Sequence, residues 1–344
     1  MNILSVAFPL LAVGPGSGGG AEQILYLLER RLAARGHRSF VIAAEGSQIS
    51  GELIAAPAAS GEITDAVRTE AQAIHRDLIQ RTLQNRSIDL IHFHGLDFHA
   101  YVPEHRGRSA MLVTLHLPLS WYPSHIFELP AITFRCVSQN QAASANGRCL
   151  GSIPNGVDLS QYTTSRDPEH LLFIGRICPE KGPDIALRVA HLLDLPLLVA
   201  GPVHPFHAHE EYFRTCVQPL LDSKRCYVGA VHLAQKVGML ASARAVLIPS
   251  LAPETSSLVA MEAAAAGAPV IAYRSGALPE IIVHGKTGFI VESEQQMAAA
   301  VSYADSIAAE ACQKHAREQF DADRMADRYL ELYSRVIQHP RRSI

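Results

Sequence analysis

Residues 253–272 read PETSSLVAMEAAAAGAPVIA. A loop bearing Glu254 runs into a helix predicted at 258–266, and Gly267 leads on to a short apolar strand at 269–272. Ser256 or Ser257 suits the N-cap of that helix. The amides of Ser257, Leu258 and Val259 would then point out of the helix start, where the aligned peptide dipoles favour an anion. Glu262 lies one to two turns inside the same helix. One of the two carboxylates can accept hydrogen bonds from ribose hydroxyls and the other from a sugar. Either glutamate alone would read as a solvated surface charge.

This helix–strand unit belongs to a longer alternation. Before it come strands at 170–174, 196–200, 226–228 and 245–248, with helices at 183–193 and 234–241. An earlier series has strands at 3–8, 39–44, 89–93, 110–115 and 132–137, and helices at 22–35 and 65–85. The first of these helices has Ile24, Leu25, Leu28 and Leu32 on one face. Such βαβα order predicts parallel sheets covered by helices. The polar, turn-rich segment 154–170, PNGVDLSQYTTSRDPEH, reads as the connection between two domains. The expected division is 1–160, 168–320 and a last helix at 321–338 within a 321–344 tail. Sheets of this kind bind ligands at the carboxyl ends of their strands, and two facing sheets make a cleft.

Composition narrows the class. The chain has 344 residues, 48% apolar and 18% charged, which is the ordinary range of folded proteins. A formal charge of −3 gives no basic excess for nucleic acid. The six cysteines form no CxxC pair, which argues against a disulfide framework or a structural zinc site. The apolar start MNILSVAFPLLAV lacks a cationic leader and reads as a buried strand, and no apolar run has the length of a membrane span. A soluble, cytoplasmic protein is expected.

Two further motifs stand at strand ends. Gly14, Gly16 and Gly19 form G-x-G-x-x-G between a strand and a helix, a setting in which backbone amides hold phosphate. With Glu45 after the second strand, this also resembles a dinucleotide fingerprint, although Pro15 removes one amide from it. Residues 173–182, FIGRICPEKG, end a strand and place Arg176 and Lys181 around a tight turn. A guanidinium fork and an ammonium suit a diphosphate, while exposed loop cations are the plainer reading of each alone.

Taken together, the chain resembles glycosyltransferase family 4, with the GT-B fold. GGAE at 19–22, IPNGVD at 153–158, FIGRICPEKG at 173–182, the Glu254–Glu262 block and HGKTGFIV at 284–291 match in order. The resemblance implies an α/β protein of two Rossmann-like, doubly wound domains facing across a cleft, the last helix packing back on the N-terminal domain. It implies a retaining hexosyltransferase that uses a nucleotide-diphosphate sugar of UDP or GDP type. It also implies no metal and no other cofactor, since cations and helix dipoles do the metal's work. Residue by residue, Gly19 and Gly20 would approach the diphosphate and sugar, and His116 would contact the hexose. Arg176 and Lys181 would hold the diphosphate, and Glu254 would meet the transferred sugar. Ser257, Leu258 and Val259 would line the phosphate site, Glu262 would bind the ribose and Val231 would lie near the base. The family usually has an aromatic residue and a glycine where Ser256 and Ser257 stand, which leaves the donor sugar open.

Other readings compete. An epimerase of the same fold or an NAD-dependent oxidoreductase is the alternative enzyme, and a sugar-binding module the alternative non-enzyme. His92 and His94, alternating in one strand, and the cluster His204, His207, His209 and Glu210 have metal-ligand spacing. The acceptor, a small molecule, saccharide or lipid-linked sugar, has no motif. Trp121 and Tyr122 could form a stacking wall for it. Arg30, Arg31, Arg35 and Arg38 could contact anionic headgroups, placing the protein peripherally at the inner membrane face.

Overall fold

The structure, a computed structural model, describes residues 1–58, 63–164 and 168–339. The chain forms two compact units, Met1–Gly156 joined by the segment from Ala322 onward, and Val157–Asp321. The first unit contains β1 (Asn2–Val6), α1 (Gly20–Ala34), β2 (Arg38–Ala44), β3 (Glu52–Ala56), α2 (Asp65–Asn85), β4 (Leu90–Phe93), β5 (Ala110–Leu115), β6 (Ile132–Cys136) and α3 (Gln139–Ser144). Its six strands are all parallel, in the order β3-β2-β1-β4-β5-β6. Helices cover such a sheet, so β1, β4 and β5 read as nearly unbroken apolar runs and are buried along most of their length. β1 stops at Val6, ahead of Pro9, which has no N–H for the ladder.

The second unit contains β7 (His170–Ile174), α4 (Pro183–Leu193), β8 (Leu197–Ala200), α5 (His207–Tyr212), β9 (Arg225–Gly229), α6 (Leu233–Ala241) and β10 (Ala243–Ile248). It continues with α7 (Leu258–Ala266), β11 (Val270–Tyr273), α8 (Leu278–Ile281), β12 (Gly288–Val291), α9 (Glu294–Val301) and α10 (Ala309–Gln319). Its parallel sheet runs β12-β11-β10-β7-β8-β9, the same winding as the first. In each sheet the winding reverses between two central strands, β1 and β4 or β7 and β10. The loops after those strands therefore flank an open crevice.

The last helix, α11 (Ala322–Gln338), returns to the first unit. It buries Met325, Tyr329, Leu332, Tyr333 and Val336. Arg35 at the end of α1 pairs with Asp323 and Asp327 of α11, each at 3.0 Å.

The segment expected as a linker is tied into the second unit from Val157 onward. Val157 forms a bridge with Asp321, Tyr162 is buried, and Thr164 Oγ1 donates to the Ala266 carbonyl at 2.8 Å. The first unit thus ends at Gly156 rather than at 160, and the positions 165–167 of that segment lie outside the described residues. So do positions 340–344 of the tail. Strand β3 escaped the pattern because its start is fixed from a distance. The buried Glu29 carboxylate on α1 accepts from Ser50 N at 2.9 Å and Gly51 N at 2.7 Å.

Candidate functional site

The second unit gathers most of the expected residues around the carboxyl ends of β7 and β10. Glycines let these ends approach closely. Gly201, after β8, donates to Gly229 O at 2.8 Å, and a Cβ on it would sit 1.8 Å from Gly175 O. Gly182 has φ +67°, and a Cβ there would meet Pro249 O at 2.7 Å. The 175–182 loop is thereby pressed against the 249–254 loop, and Leu251 N donates to Glu180 O at 2.8 Å. Gly276 closes the other side, since any Cβ there would strike the Glu254 backbone. Ala277 N donates to Glu254 O at 2.7 Å.

These contacts fix the Glu254 side chain, which is 9% exposed. Its Oε1 accepts from Lys181 Nζ at 2.6 Å and from Ser250 Oγ at 2.5 Å. Lys181 keeps two further N–H donors and is 29% exposed. Arg176, beside Gly175, is exposed and makes no ion pair among the described residues. Its charge, with that of His209, is one of the smaller causes holding Glu180 below the ordinary carboxylate range. The larger causes are hydrogen bonds from the Glu180 backbone and the Cys178 thiol.

Helix α7 begins as expected, with Ser257 as N-cap and its Oγ accepting from Ala260 N at 3.4 Å. The amides of Leu258 and Val259 in its first turn have no acceptor inside the helix. Ala260–Ala266 are all buried, which the small side chains permit, and Glu262 is buried among them. Lys236 on α6 donates to Glu262 Oε1 at 2.5 Å. Oε2 is buried without a well-formed hydrogen bond. The Tyr162 hydroxyl stands beside the same carboxylate, and burial followed by that negative charge keeps the phenol protonated. Val231 follows β9 and is partly exposed just ahead of α6.

Lys236, Ser250, Tyr162 and Gly276 are the supporting residues that motif reading missed. One signal was available. The chain has only five lysines, and two of them hold the two motif glutamates.

In the first unit, Gly19 precedes α1 in an extended conformation and has no side-chain cap. A Cβ at Gly19 would lie 1.9 Å from Glu22 Oε2, so the glycine also makes room for that buried carboxylate, which burial pushes up. Gly20 is the first residue of α1. His116 directly follows β5, is 9% exposed, and is held down to about 4 by burial.

Several expectations are corrected. Tyr122 is buried, its hydroxyl accepting from Leu117 N at 3.4 Å, so only Trp121, at 56% exposure, can offer a stacking face. Of the four arginines, Arg30 and Arg38 are exposed, Arg31 lies 4.0 Å from Asp323 and Arg35 pairs with α11. His92 and His94 are fully enclosed and bonded to neighbouring side chains, not open to a metal. Among the described residues, only His209 of the 204–210 cluster joins a ligand set, with Cys178 and Glu180, their atoms within 4.8 Å of one another. The Arg176 charge beside these groups opposes a cation. Glu45 is exposed after β2. A depression of about 390 Å³ lies elsewhere, at the amino ends of β7, β8 and β10, lined by His170, Leu195, Arg244 and Asp305. Among the described residues no helix is long and apolar enough to cross a membrane.

Known proteins bear on this arrangement. Residues 158–320 match the family model described as glycosyl transferases group 1. The chain is 30% identical to a D-inositol 3-phosphate glycosyltransferase of Corynebacterium efficiens over 166 residues, 42% of this chain and 39% of the relative. It is 34% identical to the Streptomyces avermitilis protein of that name over 195 residues, 50% of this chain and 41% of the relative. The chain thus spans about two fifths of the length of these curated relatives. Over 98% of both chains it superposes on AviGT4, a glycosyltransferase involved in avilamycin A biosynthesis, with TM-score 0.75 and 23% identity. Sucrose-phosphate synthase of Thermosynechococcus elongatus gives TM-score 0.80 at 18% identity, covering 98% of this chain and all of that one. The fold is that of the GT-B glycosyltransferases.

Proposed function

We propose that this chain, whose residues 158–320 match the model of the group 1 glycosyl transferases, moves a glycosyl group from a nucleoside diphosphate sugar of UDP or GDP type to an acceptor hydroxyl. The anomeric configuration is retained and no metal takes part. The observation that carries the reading is the ordered set Lys181–Glu254 and Lys236–Glu262 around the start of α7.

The physical task is to stabilise a leaving diphosphate. As the bond from the anomeric carbon to the phosphate oxygen breaks, negative charge grows on that oxygen. Preorganised donors aimed at this charge lower the barrier. Arg176 offers a guanidinium fork, Lys181 its two remaining N–H donors, and Leu258 and Val259 their amides beside Ser257. These groups supply the positive charge that a metal would otherwise bring. Glu254, held by Lys181 and Ser250, opposes the positive charge that develops on the sugar ring. Glu262, held by Lys236, is assigned to a ribose hydroxyl, and Val231, just ahead of α6, to the side of the base. In the first unit, Gly19, Gly20 and His116 are assigned to the diphosphate and the sugar. The acceptor hydroxyl attacks on the face the diphosphate leaves, and its proton passes to the departing phosphate oxygen.

The acceptor is a small molecule, a saccharide or a lipid-linked sugar, and the reaction is placed in the cytoplasm. The epimerase and oxidoreductase readings have no observation in their favour: Pro15 interrupts the glycine fingerprint, and Glu45 points to solvent. Calorimetric titration of UDP and GDP in EDTA tests the donor site. One of the two is expected to bind wild type and to lose about tenfold or more in affinity to Glu262→Gln, the worth of a buried charged hydrogen bond. Equal binding by both proteins would remove Glu262 from the site.

A further inference from the structure

The first unit contains two asparagine–glycine pairs, Asn146–Gly147 and Asn155–Gly156, which the transfer chemistry does not use. The same dipeptide stands in two opposite settings. Asn146–Gly147 forms the turn after α3. Both residues are exposed and both take left-handed backbone, Asn146 at φ +50° and Gly147 at φ +80°. Asparagine and glycine are the residues that adopt this conformation most readily. A Cβ on Gly147 would meet nothing within 4 Å. The turn is held by the amides on either side of Gly147. Asn146 N donates to Ala143 O at 3.4 Å, and Arg148 N to Ala145 O at 3.0 Å. Among the described residues, neither the Gly147 amide nor the Asn146 carboxamide has a hydrogen-bond partner. Asn155–Gly156 is the reverse. Both residues are buried, and Gly156 N donates to Met325 Sδ of α11 at 3.1 Å.

The reactivity of such a pair rests on the amide nitrogen that follows the asparagine. This nitrogen can attack the side-chain carboxamide carbon and expel ammonia. To do so it must shed its proton and leave any hydrogen bond it makes. A glycine at that position puts no side chain in the way. Gly147 N meets every condition, since it is open to solvent and has no hydrogen bond to give up. The Gly147 peptide can therefore turn toward the carboxamide without breaking into the rest of the unit. Gly156 N meets none of them. It is enclosed and bonded, so its reaction waits on an opening of the fold around α11.

We propose that Asn146 is a site of spontaneous deamidation and that the fold protects Asn155 from the same reaction. Gly147 N bonds to Asn146 Cγ, the Cγ–Nδ2 bond breaks, and the amide proton leaves with the Nδ2 amino group as ammonia. The product is a cyclic succinimide. Water then adds to one of the ring's carbonyl carbons and breaks the bond from that carbon to Gly147 N. Opening at Cγ gives aspartate. Opening at the main-chain carbonyl carbon gives isoaspartate, whose chain runs through Cγ. Either product places a new carboxylate two residues from Arg148, whose guanidinium lies over the Phe127 ring. Isoaspartate also adds a methylene to the main chain of the turn. That turn delivers the following segment to the edge of β6, where Leu150 N donates to Phe134 O at 2.9 Å and Cys136 N to Gly151 O at 3.1 Å. The proposal stands apart from the transfer reading and survives its failure.

The test is peptide mapping by mass spectrometry of the full chain, aged in mildly alkaline buffer, once folded and once unfolded in urea. The folded chain is expected to gain the amide-to-acid mass difference at least about tenfold faster at Asn146 than at Asn155, because only Asn155 needs an opening of the fold. In urea the two pairs are expected to convert at similar rates, since the dipeptide is the same. Isoaspartate is read separately, by a protein isoaspartate carboxyl methyltransferase with labelled S-adenosylmethionine. The label is expected on the peptide that holds position 146 of the aged, folded chain. Asn146→Gly keeps the left-handed backbone, removes the carboxamide and is expected to abolish that label. Equal rates at the two pairs in the folded chain would overturn the proposal. So would an Asn146 that stays intact in the folded chain over a time in which the urea-unfolded chain converts, or a label that persists in Asn146→Gly.

Discussion

Single side chains carry both the proposed chemistry and the main liability of the molecule. Glu254 is held by Lys181 at 2.6 Å and by Ser250 at 2.5 Å, so removing its charge leaves their donors aimed at a weaker acceptor. Glu254→Gln is expected to lower kcat about 100-fold in steady-state donor turnover, while nucleotide affinity stays within about twofold. A variant as fast as wild type would take Glu254 out of the reaction. The buried histidines act on stability. His75 on α2 is fully buried against Tyr101, with ring centroids 5.5 Å apart, and burial lowers it to about 4. In the unfolded chain an imidazole titrates near 6.5. The unfolded state therefore binds the proton first as pH falls. The stability due to a neutral His75 is fully present above about pH 6.5 and is lost on the way down to about 4. Between pH 7 and pH 5 this one residue should cost about 2 kcal/mol. Urea titrations at the two pH values should show that loss shrinking in His75→Leu. Equal pH dependence in wild type and variant would contradict it.

At the level of elements, the legible parts were those whose signal is local. Helix α7 was readable because a serine cap, a run of alanines and Gly267 follow one another in sequence, and the structure caps it at Ser257. Ser257→Ala should destabilise the protein by about 1 kcal/mol in chemical denaturation. No change would mean that the Ser257–Ala260 bond is replaced at no cost by solvent. Elements without a local signal were missed. Strand β3 is an edge strand with only Ala56 buried, and its entry is held by Glu29 from α1, 21 residues away from Ser50. Glu29→Ala leaves the Ser50 and Gly51 amides without that acceptor and should cost about 1–3 kcal/mol in the same assay. A loss confined to a few tenths would mean that water replaces the carboxylate. The site followed the same rule. Arg176, Lys181, Glu254 and Glu262 announce themselves by spacing. Lys236 and Tyr162 reach these groups only through the fold, and Ser250, four residues before Glu254, has nothing in its neighbours to mark it. The histidines of β4 look like metal ligands in sequence. Only the tertiary contacts with Thr114, Tyr333 and His116 show their hydrogen bonds already used.

For the whole molecule, two sheets of identical winding and a last helix returning to the first unit form the frame. In the proposed reaction the diphosphate and ribose fall to the second unit, while His116 stands on the first, at the end of β5. Acid should act unevenly on this frame, since His75, His92, His94 and His116 all lie in the first unit. The central claim is that the second unit activates a nucleoside diphosphate sugar without a metal. The most direct measurement is release of nucleoside diphosphate from UDP-, GDP-, ADP- and dTDP-sugars in EDTA, by wild type and Glu254→Gln. The account predicts slow release from one donor by wild type, and loss of that release in the variant with the nucleotide still bound. Silence across all donors, or release that appears only when a divalent metal is added, would contradict it.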